Sequence, residues 1–143
     1  MSVYVSVELK RRIRAIFKFC CAYCRSPESL SVVTFEFEHI LPLSLGGKTE
    51  FDNLCLACPT CNRHKADRVG ASLVVGGETI EFFHPHRDRW TDHFAWIEDA
   101  TKLAGLSATG EVTIAAFRMN RPQLVRVRQI WAATDEHPPD DGP

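Results

Sequence analysis

Thr34-Phe35-Glu36-Phe37-Glu38-His39-Ile40 leads into Pro42, a Gly46-Gly47 loop, Asn53-Leu54 and then Cys58-Pro59-Thr60-Cys61-Asn62-Arg63-His64-Lys65. The first segment alternates and is rich in β-formers, which predicts a strand ended by Pro42. Leu43 to Asn53 reads as a loop. Pro59 suits the first turn of a helix running to about Asp67. Neighbours on a strand point to opposite faces, so Glu38 and His39 together say little until their context is added.

That context is a set of cysteines. Cys21-Ala22-Tyr23-Cys24 and Cys58-Pro59-Thr60-Cys61 are two Cys-x2-Cys pairs separated by 33 residues. Each tight turn places two thiolates on one side, and two such turns brought together give the closed tetrahedral cage of a structural zinc. Zinc binding would add folding free energy to a small core. Cys55-Leu56-Ala57-Cys58 has the same spacing, so Cys20 or Cys55 could replace a ligand. Cys58 and Cys61 are favoured because Pro59 then falls at the helix start. Cys20 and Cys55 then read as small buried hydrophobes. Six cysteines in a short chain without a signal-like apolar stretch after Met1 point to metal rather than disulfides, and to a cytoplasmic protein.

Upstream, Leu9, Ile13, Ile16 and Phe17 recur at helical intervals among Lys10, Arg11, Arg12, Arg14 and Lys18, predicting an amphipathic helix over Val7 to Phe19. The local order is helix, cysteine turn, strand, loop, cysteine turn, helix. The 143 residues carry a net charge of -1, unevenly distributed. Residues 1–70 hold ten Lys/Arg against seven Asp/Glu, a net of +3, whereas residues 71–143 hold seven against eleven, a net of -4. The basic half is the half with the motifs. A composition of 45% hydrophobic and 24% charged residues excludes global disorder, and no apolar run is long enough to span a bilayer.

The ordered set from Cys21 to Lys65 resembles the HNH nuclease family: Cys21-Ala22-Tyr23-Cys24, Phe35 through Pro42, Gly46-Gly47, Asp52-Asn53-Leu54 and Cys58 through Lys65. The resemblance implies an α+β fold with a ββα-metal (His-Me finger) core, carrying here a four-cysteine zinc clip, an N-terminal helix and a C-terminal α+β extension. The family's three named positions fall on His39, Asn53 and Asn62, an H-N-N variant. Glu38 stands where many members have aspartate. By the same resemblance Asn53 orients the loop backbone behind His39, the substrate is DNA, and cleavage leaves a 5′-phosphate and a 3′-hydroxyl.

The residues suit that chemistry. Neutral His39 can take a proton from water near pH 7. A hard ion, Mg2+ or Mn2+, prefers oxygen ligands, and the Glu38 carboxylate with the Asn62 amide supplies two. Lys65 shares a helix face with Asn62. With Arg63 and Arg68 it is a candidate phosphate contact, as are Lys10, Arg11 and Arg14 on the first helix; the alternative for each cluster is a solvated face. The competing functional reading is a non-catalytic zinc-dependent module that binds nucleic acid or docks a partner.

Three segments are expected: a core at 1–70, an extension at 71–134 and an acidic Pro-rich tail at 135–143. In the extension, Ala71–Val75 and Thr79–Phe83 flank Gly76-Gly77 as a hairpin. Two short strands fall within Phe94–Leu106. Ser107 caps a helix to Met119, and Asn120 caps another running to Ala133 with Pro122 in its first turn. The stretch from Phe82 through Trp90, with Trp96, Gly110 and Asn120-Arg121-Pro122, looks like the C-terminal half of a group of short bacterial HNH proteins. His84, His86 and His93 lack a familiar metal spacing. Trp90, Phe94, Trp96 and Trp131 read as core. Arg118, Arg121, Arg126 and Arg128 read as a DNA track or a solvated surface. The tail, with Asp135, Glu136, Asp140 and Asp141, is expected to be mobile.

Overall fold

A computed structural model describes residues 4–140; Asp141 and the residues at either end lie outside them. The chain divides into two compact units, one built from residues up to Val69 plus His84–Arg87 and the other from Gly70–Phe83 with Asp88 onward.

The first unit begins with α1 (Val7–Ile16), whose N-cap Ser6 accepts a hydrogen bond from Leu9 N. Ile13 and Phe17 are its buried face. The helix stops short of the predicted Phe19 because Lys18 and Phe19 take positive φ, at 54° and 58°. This reversal sends the chain into the first cysteine turn, where Cys21 N donates to Ser26 O and Arg25 N to Cys21 O.

Strand β1 (Glu36–His39) pairs antiparallel with β2 (Leu54–Ala57), aligning Glu36 with Ala57 and His39 with Leu54. The segment read as part of a second cysteine turn is thus the partner strand. All four β2 residues are buried, so their continuous apolar run conceals the alternation that marks a one-sided strand. Helix α2 (Pro59–Lys65) follows with Pro59 in its first turn. It ends before the expected Asp67 because Ala66 adopts φ 54°. The result is a ββα unit with α2 packed on β1.

The loop between the strands is closed by Gly47, whose N–H donates to Pro42 O. A Cβ there would lie 1.8 Å from Leu41 O.

The second unit holds β3 (Gly70–Ala71) and β4 (Ile80–Glu81), α3 (Trp90–His93), the pair β5 (Phe94–Ile97) and β6 (Lys102–Gly105), α4 (Ala108–Phe117) and α5 (Pro122–Ala133). The hairpin about Gly76-Gly77 pairs only Gly70 with Glu81 and Ala71 with Ile80, two pairs rather than five. Val74 and Val75 are exposed beyond it. Ser107 caps α4 as expected, accepting from Gly110 N. Asn120 does not cap α5, whose N-cap is Arg121. Its amide instead accepts from Leu103 N and donates to Leu103 O, acting as a strand neighbour for β6.

Trp90, Phe94 and Trp131 are buried, whereas Trp96 is half-buried. Arg128 belongs to neither a DNA track nor a solvated surface. It is fully buried, donates to Thr101 O and stacks over the Trp96 ring. The tail is also less free than its composition suggests. His137 is buried, bonds Ala100 O at 2.8 Å and packs edge-on against Trp96. No helix among the described residues is long and apolar enough to cross a membrane.

Asn120→Ala removes both bonds to Leu103 and is expected to destabilise the chain by about 1–3 kcal/mol, measured by denaturant unfolding.

Candidate active site and metal centre

The Sγ atoms of Cys21, Cys24, Cys58 and Cys61 lie within 4.8 Å of one another, all buried. Cys24 Sγ and Cys58 Sγ are 3.8 Å apart. A tetrahedron with zinc–sulfur bonds of about 2.3 Å has edges of about 3.8 Å, so the donor set and its spacing fit Zn2+. Hydrogen bonds from Cys21, Cys58 and Cys61 hold the Cys24 thiol well below its ordinary value, whereas burial pushes Cys21 well above its own. This geometry resolves the cysteine register. Cys20 and Cys55 are buried outside the cage. Cys58 also caps α2, its Sγ accepting from Cys61 N. One turn of backbone therefore both closes the cage and starts the helix that carries Asn62.

Beside α2 is a cleft of about 220 Å³ lined by Phe37, Glu38, His39, Ser44, Asn62 and Asp67 among others. His39 is half-buried and its Nε2 lies 3.0 Å from Thr49 Oγ1. Burial, followed by the Lys65 charge, lowers its pKa below the ordinary 6.5. Both effects favour the uncharged ring.

Asn53 stabilises the backbone just beyond it. Its Oδ1 accepts from Leu41 N, and its Nδ2 donates to Leu41 O and Lys48 O. Its own carbonyl accepts from Ile40 N.

Glu38 does not stand as an open ligand. It is 4% exposed, with Oε1 2.6 Å from Lys65 Nζ and Oε2 accepting from Tyr23 OH and the Cys55 thiol. Burial raises its pKa, with Lys65 pulling it back down. Strand alternation is the cause: Glu36 and Glu38 share one face of β1, and Glu38 is the inner of the two. A hard cation that retains waters does not fit so enclosed a carboxylate.

Lys65 is corrected along with it. It is 2% exposed and also reaches His39 O at 3.3 Å, so it joins α2 to β1 rather than facing phosphate. Arg68 turns back onto the end of α2, donating to His64 O and Lys65 O. Arg14 forms a two-point pair with Glu28 and, with Lys10, covers the Phe37 ring. Arg11 pairs with Glu8 in solvent. Arg63 is exposed.

Sequence reasoning passed over Tyr23, Thr49 and Glu36. Glu36 was signalled by its two-residue spacing from Glu38, which places both carboxylates toward one side. Asn62 Nδ2 donates to Glu36 Oε1 at 2.8 Å. His86 was weighed as a metal ligand, but its ring packs on Phe17 and Phe51 and contacts Leu54 O.

Residues 21–68 match the HNH endonuclease family model. The segment is an HNH-family domain. It runs from the first cage cysteine to the end of the α2 turn and encloses His39, Asn53 and Asn62. An HNH domain implies a nucleic-acid substrate and divalent metal use. No curated protein and no solved structure matches the chain.

The cage predicts one zinc per chain, measured by elemental analysis. Cys21→Ser or Cys58→Ser is expected to lose it, whereas Cys20→Ser and Cys55→Ala retain it. Lys65→Met strands a buried carboxylate and should destabilise the chain by about 3–5 kcal/mol in urea unfolding, most of which the double change with Glu38→Met recovers.

Proposed function

We propose that the HNH domain is a metal-dependent DNA endonuclease in which His39 is the general base, leaving a 5′-phosphate and a 3′-hydroxyl. The observation that carries this reading is a neutral histidine in an open cleft with Asn62, on an HNH-family ββα unit. Neutral His39 accepts the proton of the attacking water through a ring nitrogen. Thr49 orients the ring through its contact with Nε2. Asn53 holds the turn behind the histidine, so the base keeps its position when the loop meets substrate. Lys65 ties His39 O to α2 and favours the uncharged imidazole.

Asn62 is the expected cation ligand that the cleft leaves accessible. A bound Mg2+ or Mn2+ would supply positive charge against the negative charge that builds on the phosphate. Arg63 is exposed on α2 and is the proposed contact to the DNA backbone, while Arg11 would first have to leave Glu8.

The test is cleavage of supercoiled plasmid by zinc-loaded protein with Mg2+ or Mn2+. His39→Ala should lower the rate by about 10²–10⁴-fold. Equal cleavage by wild type and His39→Ala sinks the assignment, and tight DNA binding without cleavage under either ion favours the non-catalytic module.

The pH profile carries a sign. A base with a lowered pKa keeps its activity as pH falls until below its ordinary value, so the acid limb should have its midpoint under about pH 6.5. Thr49→Val should reduce the rate without moving zinc content.

A further inference from the structure

Glu36 and Glu38 lie on one face of β1, opposite the side of α2 that carries Asn62 and Lys65. Glu38 is enclosed with an ammonium, a phenol and a thiol on its oxygens. Glu36 is exposed and touches the Asn62 amide. We propose that Glu36 and Asn62, rather than Glu38, form the divalent-cation site of this domain. The purpose of that site rests on the nuclease reading above; its geometry does not.

Three observations carry the proposal. The Glu38–Lys65 pair has no net charge, so it offers a cation little attraction, and a cation at Glu38 would have to displace an ammonium 2.6 Å away. Mg2+ sheds water reluctantly and needs room for several water ligands, which an exposed carboxylate allows and a 4%-exposed one does not.

The second observation is a distance. Adjacent oxygens of an octahedral site with bonds of about 2.1 Å are about 2.9 Å apart. Glu36 Oε1 and the Asn62 amide terminus are separated by 2.8 Å. The amide presents its NH2 to the carboxylate, and a half-turn about its last bond puts the oxygen in the same place. The pair can thus exchange a hydrogen bond for two ligand oxygens with little backbone movement.

The third is location. Asn62 and His39 line one cleft, so a cation on Asn62 shares that cleft with the base. Glu38 and Asp67 also line it, whereas Glu36 reaches it through the Asn62 amide, so Glu38 and Asp67 are the competing anions that the experiment must separate from Glu36.

The experiment titrates Mn2+ into the zinc-loaded full chain and follows loss of the free-ion electron paramagnetic resonance signal. Mn2+ is hard and does not compete for the thiolate cage. Glu36→Gln and Asn62→Ala are expected to weaken Mn2+ binding by about tenfold or more, the scale on which site residues act.

Glu38→Met combined with Lys65→Met should bind Mn2+ as wild type does. The double variant avoids a stranded charge, and zinc content with circular dichroism reports that it is folded. Unchanged affinity in Glu36→Gln overturns the proposal, as does a loss confined to the Glu38/Lys65 double variant or to Asp67→Asn.

Plasmid cleavage separates this from the nuclease reading. Mn2+ bound through Glu36 with no cleavage by wild type removes the nuclease reading and leaves the cation site. Full cleavage with unaltered Mn2+ affinity in Glu36→Gln does the reverse.

Discussion

The crowding of four sulfurs into one buried cage governs the HNH domain. Two cysteines come from a turn that follows α1 and two from the first turn of α2, so neither segment can be placed without the other. The cage also sets the rotation of α2, because Cys58 is the helix cap and Cys61 lies inside it. Once that rotation is fixed, Asn62 and Lys65 face β1 three residues apart, and each meets one of the two glutamates on that strand. Removing zinc would leave thiolates packed against each other in a dry site, an arrangement that repels itself.

The second organising contact is the ion pair beneath the cleft. A buried pair is poor evidence of stability, because desolvation opposes the attraction. Its geometry is more informative than its strength. Lys65 reaches both the Glu38 carboxylate and the carbonyl of His39, while Tyr23, between two cage cysteines, holds the other carboxylate oxygen. Cage, strand and the His39 backbone are thereby joined through two side chains. The length of the Glu38 side chain lets its carboxylate reach Lys65, Tyr23 and Cys55 together.

Much of the α+β core was legible because each element carried a local signal. Alternation marked β1, Pro59 marked the start of α2, and paired cysteines marked the cage. The failures among polar side chains were of one kind: a residue's type was read without its direction. Lys65, Arg68, Arg128 and Arg14 are cations, and charge alone suggested solvent or phosphate. Lys65, Arg128 and Arg14 are held instead by carbonyls, carboxylates or rings from elsewhere in their own unit, contacts that no local pattern encodes, and Arg68 folds back onto the end of its own helix. Asn120 followed the same course, with cap chemistry at the right place but its amide used on Leu103. Glu38 was the instructive case. Alternation placed it opposite His39, but only the packing of α2 shows that its side of the strand is closed there and open two residues earlier.

Cys61 and Asn62 are adjacent in the chain, and this imposes an order of events on assembly. The residue facing the cleft is fixed only after its neighbour has been captured by the cage. On the proposed reading, a thiol-binding metal would fill the cage before an oxygen-binding one found its ligands. A newly made chain in a zinc-poor cell would lack a formed cleft however much magnesium surrounded it. Zinc supply, which takes no part in the proposed chemistry, would then act as the licence for it.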